Sequence, residues 1–150
     1  MQNSDDATRT AIVVYNPVKI DETRLRSQVE RYAPDGWHIE WVRTTPDDSG
    51  EAEVAAAHHP DVELVLVAGG DGTVREIATS LAGSGIALGI VPTGTGNLLA
   101  RNLRLDLGLE ESVRRAFRGE HKLIDVCRAK LSRPDGSNER LGFVVMAGVG

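Results

Sequence analysis

The sequence predicts an α/β fold, a three-layer α/β/α arrangement in which helices cover both faces of a mainly parallel β-sheet. Short apolar runs alternate along the chain with segments whose apolar residues recur at helical spacing. The connections between these segments are short and rich in Gly, Pro, Asp and Asn. Most of the apolar runs are continuous, which is typical of strands buried on both faces of a parallel sheet.

Each predicted strand is a short run that ends at a turn signal. In chain order, the predicted strands are 11–15, 37–43, 63–68, 86–91, 121–131 and 141–147. The run Leu64-Val65-Leu66-Val67 is the clearest, because it is wholly apolar and precedes a Gly-rich turn. The last two strands are separated by Pro134-Asp135-Gly136, so they form either a hairpin or the beginning of a second unit.

Each predicted helix has apolar residues on one face. In chain order, the predicted helices are 22–33, 51–58, about 73–82, 98–102 and about 109–117. The first helix can be capped by Asp21 and ends before Pro34-Asp35-Gly36. The third helix begins near Thr73, where Asp71 is a candidate N-cap.

The composition excludes several classes of protein. The net charge is −5 and there is no basic stripe, so nucleic acid is not an expected partner. The single cysteine, Cys127, cannot form an internal disulfide, and a reducing cytoplasm is the simplest compartment. Residues 1–10 are polar and predict a disordered tail before an α/β domain at 11–150. No run approaches the ~18–20 apolar residues of a membrane span, so any membrane contact is expected to be peripheral.

The glycines are concentrated at two of the predicted turns. Eight of the sixteen glycines lie between Gly69 and Gly96. We name Gly69-Gly70-Asp71-Gly72-Thr73 the first glycine turn and Thr93-Gly94-Thr95-Gly96-Asn97 the second glycine turn. Both turns, and the pair Asn16-Pro17, follow predicted strands. Because ligands of open α/β sheets bind at the carboxyl ends of the strands, these three loops are expected to share one ligand-binding edge.

The residue types in the two glycine turns suit a phosphate group. Glycine lets backbone amides approach an anion closely, and a helix N-terminus offers unpaired N–H groups with a partial positive charge. Asp71 suits an anion site only if it faces Mg²⁺ or a sugar hydroxyl, or caps a helix. Neither turn is a P-loop, and Arg75 and Leu99 stand where a dinucleotide fingerprint has its third glycine. Arg75 and Arg101 are candidate phosphate partners, although solvated positions on a helix are commoner for such residues.

The turns together resemble those of the diacylglycerol kinase catalytic family. The first glycine turn followed by Glu76 is similar to the family's Gly-Gly-Asp-Gly-Thr loop, which NAD kinases and sphingosine kinases share. The stretch from Pro92 to Asn97 is similar to its Pro-x-Gly-Thr-x-Asn loop, and Asn16-Pro17 matches a third motif. Leu123-Ile124-Asp125 and 143–150 resemble the family's passage into a second domain, so the likeness covers nearly the whole chain beyond Thr10.

The resemblance implies an ATP site between two domains, with Mg²⁺, and transfer of the γ-phosphate to a lipid hydroxyl. The residues that it implies at the nucleotide are Asn16, Pro17, one of Thr44 or Thr45, Gly69, Gly70, Asp71, Gly72, Thr73, Glu76, Gly94 and Thr95, with Asn97 bracing the second turn. The family's general base, its metal-binding acids and its lipid pocket belong mainly to the second, β-rich domain. We therefore expect this chain to be a fragment that is inactive alone, with 121–150 holding at most the first strands of that domain.

The sequence departs from the family pattern at three places, and other functions stay open. Val18-Lys19-Ile20 replaces a segment of small residues, Leu98 replaces an Asp, and Val145 replaces an Asn.

An NAD kinase-like enzyme is one alternative function, which the second glycine turn disfavours. A non-catalytic domain that senses nucleotide is another. The identity of the lipid, and whether the chain forms a homo-oligomer, are not encoded in these motifs.

Overall fold

The computed structural model describes residues 8–56, 60–94, 96–105, 107–120, 127–132, 134–136 and 138–143. In chain order, the elements are β1 (Thr10–Tyr15), α1 (Glu22–Tyr32), β2 (His38–Arg43), α2 (Glu51–Ala56), β3 (Val62–Gly69), α3 (Asp71–Leu81), β4 (Ala87–Pro92), α4 (Leu98–Asn102), α5 (Leu109–Arg118), β5 (Cys127–Ser132) and β6 (Asn138–Phe143). Every predicted helix and strand has a counterpart among them.

The main sheet has the strand order β2-β1-β3-β4, and all of its neighbouring strands are parallel. Helices α2, α3 and α4 pack on one face around Val65 and Val67, whereas α1 and α5 pack on the other around Leu64 and Leu66. Alternate residues of β3 therefore enter two separate cores, which explains why its sequence is continuously apolar. The predicted three-layer α/β/α fold is confirmed.

Strand β1 begins one residue earlier than the sequence predicts. Thr10, assigned to the disordered tail, is buried in β1, and its N–H donates to the carbonyl of Asp61 at 2.9 Å. Arg9 donates from Nε to Glu63 at 2.8 Å, and its guanidinium lies over the Trp37 ring. These contacts fix residues that composition alone assigned to the tail. The rest of the predicted tail, 1–7, lies outside the described residues.

The closing segment forms a hairpin, which was one of the two predicted alternatives. β5 and β6 pair antiparallel as a separate two-stranded sheet, with Cys127 opposite Phe143. The turn between them includes Gly136, whose φ of 86° requires the left-handed region. The strand bounds differ from the prediction because this register places the turn between Ser132 and Asn138. Residues 121–126 and 144–150, including Asp125 and Val145, lie outside the described residues.

Candidate functional site

The carboxyl ends of the four parallel strands lie at one rim of the sheet. The register pairs Tyr15 of β1 with Arg43 of β2 and with Ala68 of β3, and pairs Gly69 of β3 with Pro92 of β4. The loops that follow these strands therefore lie along one edge, as predicted for Asn16-Pro17 and both glycine turns. The loop after β2, which contains Thr44 and Thr45, joins them there.

The first glycine turn leads directly into helix α3. The helix begins at Asp71 rather than near Thr73, and Gly70 is its N-cap. The first helical hydrogen bond is donated by the Val74 N–H to the Gly70 carbonyl at 3.0 Å. Gly70 provides no side-chain acceptor, and among the described residues no side chain accepts from the amides of the first helical turn. This N-terminus is thus an open set of N–H donors.

The two glycine turns touch each other through their backbones. A Cβ atom added to Gly94 would lie 3.1 Å from the Cα of Gly70. A Cβ atom added to Gly69 would lie equally close, at 3.1 Å, to the Cβ of Thr73, so the strand end and the first turn of α3 are also tightly apposed. Glycine at these positions permits a contact distance that other residues would prevent.

Side chains hold the second glycine turn in place. Asn97 has left-handed backbone angles, with φ 49° and ψ 46°. Its Oδ1 accepts from the Gly94 N–H at 3.0 Å, and its Nδ2 donates to the Gly94 carbonyl at 2.7 Å. Arg101, weighed above as a phosphate partner, donates from Nε to the Gly96 carbonyl at 2.8 Å. Asn97 therefore braces this turn, as the resemblance implies, and Thr95 lies outside the described residues.

Asp71 connects the two turns. Its Oδ1 accepts from the Leu98 N–H at 2.6 Å, and Leu98 is the first residue of α4. A Cβ atom added to Gly96 would lie 2.5 Å from the Oδ2 of Asp71. The carboxylate thus faces the second glycine turn with both oxygens. The suggestion that Asp71 caps its own helix is wrong, because α3 begins at Asp71 itself and the side chain reaches α4 instead.

A profile of the diacylglycerol kinase catalytic domain matches residues 10–129 of the chain. The chain belongs to this family. It is 32% identical over 140 residues to "Probable lipid kinase YegS-like" of Klebsiella pneumoniae, and 28% identical over 141 residues to "Probable lipid kinase YegS" of Salmonella arizonae. Each match covers 91% of this chain and 44% of the relative, so the chain spans less than half the length of these relatives.

Solved structures of the diacylglycerol kinase family share the fold. A diacylglycerol kinase from Bacillus anthracis superposes with a TM-score of 0.59 at 22% sequence identity. The superposition covers 88% of this chain and 50% of that chain. The α/β architecture described above is therefore the one found in diacylglycerol kinases.

The Asn-Pro loop, residues 16–20, is held by hydrogen bonds within itself. Asn16 Oδ1 accepts from the Val18 N–H at 3.0 Å, and the Asn16 carbonyl accepts from the amides of Lys19 and Ile20. Three successive amides of this loop are therefore already bonded within it. Pro17, Val18 and Lys19 are exposed at the rim, so their side chains rather than these amides can meet a ligand.

The two threonines after β2 have different environments. Thr44 is buried, with 5% exposure, and its N–H donates to the Tyr15 carbonyl at 2.8 Å, which extends the pairing of β1 and β2. Thr45 is exposed, and its backbone N–H and carbonyl both bond to Asp48 in a tight turn. Of the two, Thr45 presents its side chain at the surface. Glu76 is half-buried on α3, three residues beyond Thr73 and on the same helical face.

A narrow crevice lies beneath the two glycine turns. The residues that line it are Gly69, Gly70, Asp71, Val74, Ile90, Asn97, Leu99 and Ala100. At the adjoining end of β4, the Thr93 hydroxyl is buried and has no hydrogen-bond partner among the described residues. Buried hydroxyls of this kind are normally satisfied by water or by a ligand.

Two negative findings apply to the residues that the structure describes. Within them, no group of three or more His, Cys, Asp or Glu side chains is arranged to hold a metal ion. None of the described helices combines the length and the apolar composition that crossing a membrane requires.

The other half of the rim, where β1 and β2 end, is held by a charged network that sequence reasoning missed. Glu22 accepts from the Tyr15 hydroxyl at 2.8 Å, from Arg26 at 3.0 Å and from Arg43 at 2.9 Å. Arg26 also lies over the Trp41 ring, 4.0 Å from its centroid. The hydrogen bonds from Arg43, Tyr15 and Arg26 lower the pKa of Glu22 from 4.5 to about 2. Only the Glu22–Arg26 pair has a signal in the sequence, its i,i+4 spacing on α1, because Tyr15 and Arg43 come from β1 and β2.

Proposed function

We propose that the rim binds the phosphates of ATP at the N-terminus of α3, and that the chain is the nucleotide-binding part of a lipid kinase. The observation that carries this proposal is the open first turn of α3. Its amides have no capping side chain among the described residues, and they carry the positive end of the helix dipole. Membership of the diacylglycerol kinase family supports the choice of ATP as the ligand.

The surroundings of this N-terminus also suit an anion. A Cβ atom added to Gly72 would meet nothing within 4 Å, so the space beside its amide is open to a phosphate. The Asp71 carboxylate, which would repel a phosphate, faces the second glycine turn instead. Thr73 adds a hydroxyl in the same helical turn, and the unpaired Thr93 hydroxyl lies nearby. An acidic residue such as Asp71 is therefore compatible with an anion site here, although the sequence alone suggests otherwise.

The order of the loops along the rim supports an assignment of the remaining contacts of the nucleotide. In this proposal Gly69, Gly70, Gly72 and Gly94 give the phosphates close access to the backbone, and Thr95 reaches them from the second turn. Glu76, which is on the same face of α3 as Thr73, accepts from a ribose hydroxyl. The adenosine extends toward β1 and β2, where Asn16, Pro17, Thr44 and Thr45 border it.

Magnesium is expected to arrive with the nucleotide. The described residues offer no cluster of acids to hold it, so they fit the phosphates of Mg·ATP better than the metal itself. When bound, Mg²⁺ would neutralise charge on the phosphates. The residues of this chain would orient the polyphosphate and support the charge that develops during transfer.

The acceptor in this proposal is a lipid hydroxyl, and the general base and the lipid pocket lie outside this chain. The support is that the chain covers 44% of the length of relatives named lipid kinases. A lipid acceptor also implies that the whole enzyme meets a membrane surface during turnover. We therefore expect the 150-residue chain to bind ATP or ADP weakly and to transfer no phosphate.

Calorimetry on the purified chain tests this function. We expect weak binding of ATP and ADP in the presence of Mg²⁺, and weaker binding of AMP and adenosine, because phosphate recognition dominates. The absence of heat with ATP would contradict the nucleotide site. Equal affinity for adenosine and ATP would contradict the placement of the phosphates at α3. Incubation with radiolabelled ATP and diacylglycerol should yield no labelled lipid from this chain.

A further inference from the structure

Among the described residues, the Asp71 carboxylate is the one side chain that bonds from the first glycine turn to the helix that follows the second. Oδ1 accepts the Leu98 N–H at 2.6 Å, and Oδ2 occupies the space that a side chain at position 96 would need. Leu98 and Asp71 are 27 residues apart in the sequence. The carboxylate thus caps the N-terminus of a helix to which it does not belong.

The N-terminus of helix α4 is capped from outside the helix. It has only five residues, too few to be stable without tertiary support. Its own N-cap residue, Asn97, has left-handed backbone angles and makes no capping bond, because its side chain is bonded to Gly94. A carboxylate at a helix N-terminus is favoured both by its hydrogen bond and by the helix dipole. Leu99 and Ala100, which follow in α4, are buried in the core beneath α3.

We infer that Asp71 is a positioning residue that couples the two glycine turns, rather than a ligand of the nucleotide or of Mg²⁺. By fixing Leu98, it fixes the second turn against Gly70, so that both turns face the same phosphate group. This inference rests on the proposed nucleotide site for its effect on affinity, but the cap itself does not depend on any ligand. The same bond explains why an acidic residue is compatible with an anion site.

The test compares Asp71→Asn with Asp71→Ala in the 150-residue chain. Asparagine keeps an oxygen that can accept from the Leu98 N–H but has no charge, whereas alanine removes the acceptor. We measure amide exchange at Leu98 by NMR, and ATP affinity with and without Mg²⁺. The Asp71→Ala substitution should accelerate amide exchange at Leu98 at least tenfold. It should also lower the affinity for ATP about tenfold, both with and without Mg²⁺. The Asp71→Asn substitution should stay within about threefold of the parent in both measurements.

Two results would overturn the inference. One is an Asp71→Asn chain that protects Leu98 but loses ATP affinity only when Mg²⁺ is present, which is the behaviour of a metal ligand. The other is unchanged exchange at Leu98 in Asp71→Ala. If Asp71→Ala does not fold, Asp71→Asn still decides between the two roles. If the parent chain binds no ATP, the proposed function fails, but the exchange data still decide whether Asp71 is the cap.

The matched control is Asp21→Ala. Asp21 Oδ1 accepts from the Arg24 N–H at 3.1 Å and is an ordinary N-cap of α1. Its removal should lower thermal stability, as loss of a cap does, and should leave ATP affinity within twofold and exchange at Leu98 unchanged. An equal loss of ATP affinity in Asp21→Ala would show that any lost cap has this effect, and the specific role of Asp71 would be refuted.

Discussion

The N-termini of α3 and α4 lie against each other, and both follow a glycine turn at the end of a buried parallel strand. They differ in what occupies them. The first turn of α3 has a glycine N-cap and, in the part of the chain that the structure describes, no side-chain acceptor, whereas α4 receives the Asp71 carboxylate and its turn is braced by Asn97. Similar sequences thus serve two purposes. The first glycine turn presents free donors, whereas in the second the N–H and carbonyl of Gly94 and the carbonyl of Gly96 are already bonded within the chain.

The glycines of the two turns are needed for correspondingly different reasons. Gly70 has an extended backbone that any residue can adopt, and a Cβ atom there would meet only the Gly94 Cα, at 3.9 Å. Gly96 faces the Asp71 carboxylate at a distance that excludes a side chain. Substitutions at Gly70 should therefore affect ligand binding, and substitutions at Gly96 should affect the folded structure.

The largest expected effect comes from giving α3 the cap that it lacks. In Gly70→Asp, the new carboxylate can bond the open amides and would repel a phosphate. Like charges placed together at an interface cost several kcal/mol, so we expect ATP affinity to fall at least tenfold, which corresponds to about 1.4 kcal/mol. Calorimetry with ATP measures this loss.

The neutral control is Gly70→Ser, which also supplies an acceptor. It should raise stability by a few tenths of a kcal/mol, as Ser does over Gly at an N-cap. It should also lower the affinity for ATP less than Gly70→Asp does. If Gly70→Asp binds ATP as well as the parent chain does, the phosphates do not lie at α3 and the contrast between the two N-termini loses its functional meaning.

A second pair of substitutions compares the glycines of the two turns through the free energy of unfolding. Gly96→Ala places a Cβ atom 2.5 Å from Asp71 Oδ2, so the carboxylate or the turn must move. We expect a loss of about 1–3 kcal/mol, typical of overpacking. In Gly72→Ala the added Cβ meets nothing within 4 Å, and alanine is favoured over glycine in a helix by about 0.5–1 kcal/mol. Urea unfolding should therefore show a lower free energy of unfolding for Gly96→Ala and a higher one for Gly72→Ala. Destabilisation by both substitutions would contradict these roles of the two glycines.

Substitutions at Asn97 give a third and smaller test of how the second glycine turn is held. Asn97→Ala removes both bonds to Gly94 and leaves a residue with a Cβ in left-handed angles, for a loss of about 1–2 kcal/mol. Asn97→Gly removes the same bonds without the conformational strain, so it should recover about half of that loss. Urea midpoints compare the two variants. Equal losses would mean that the left-handed angles contribute nothing.

The fold was predictable because its signals are local. Continuous apolar runs such as Leu64-Val65-Leu66-Val67, and turn residues after each run, identify buried parallel strands and place the loops at one rim. The start of α3 was misplaced because Gly70 and Gly72 read as parts of a turn, although both are compatible with a helix N-terminus. The Asp71 to Leu98 bond was not predictable, since it depends on the approach of two turns that are distant in sequence.

The charged half of the rim, where β1 and β2 end, provides the last and smallest test. Because hydrogen bonds lower the pKa of Glu22 to about 2, its contribution to stability is complete above pH 4.5 and is lost as the pH falls toward 2. The Glu22→Gln chain should be less stable than the parent chain at pH 7. Its stability should also decline less than that of the parent between pH 4.5 and 2.

Urea midpoints at several pH values measure this difference, with Glu30→Gln, an exposed carboxylate on the same helix, as the matched control. Glu30→Gln should follow the acid decline of the parent chain, because it leaves the Glu22 network intact. Parallel acid curves for Glu22→Gln and the parent would show that the network does not stabilise this half of the rim. Trp41, which lies under Arg26 in the network, reports on the loosening of this half of the rim through its fluorescence.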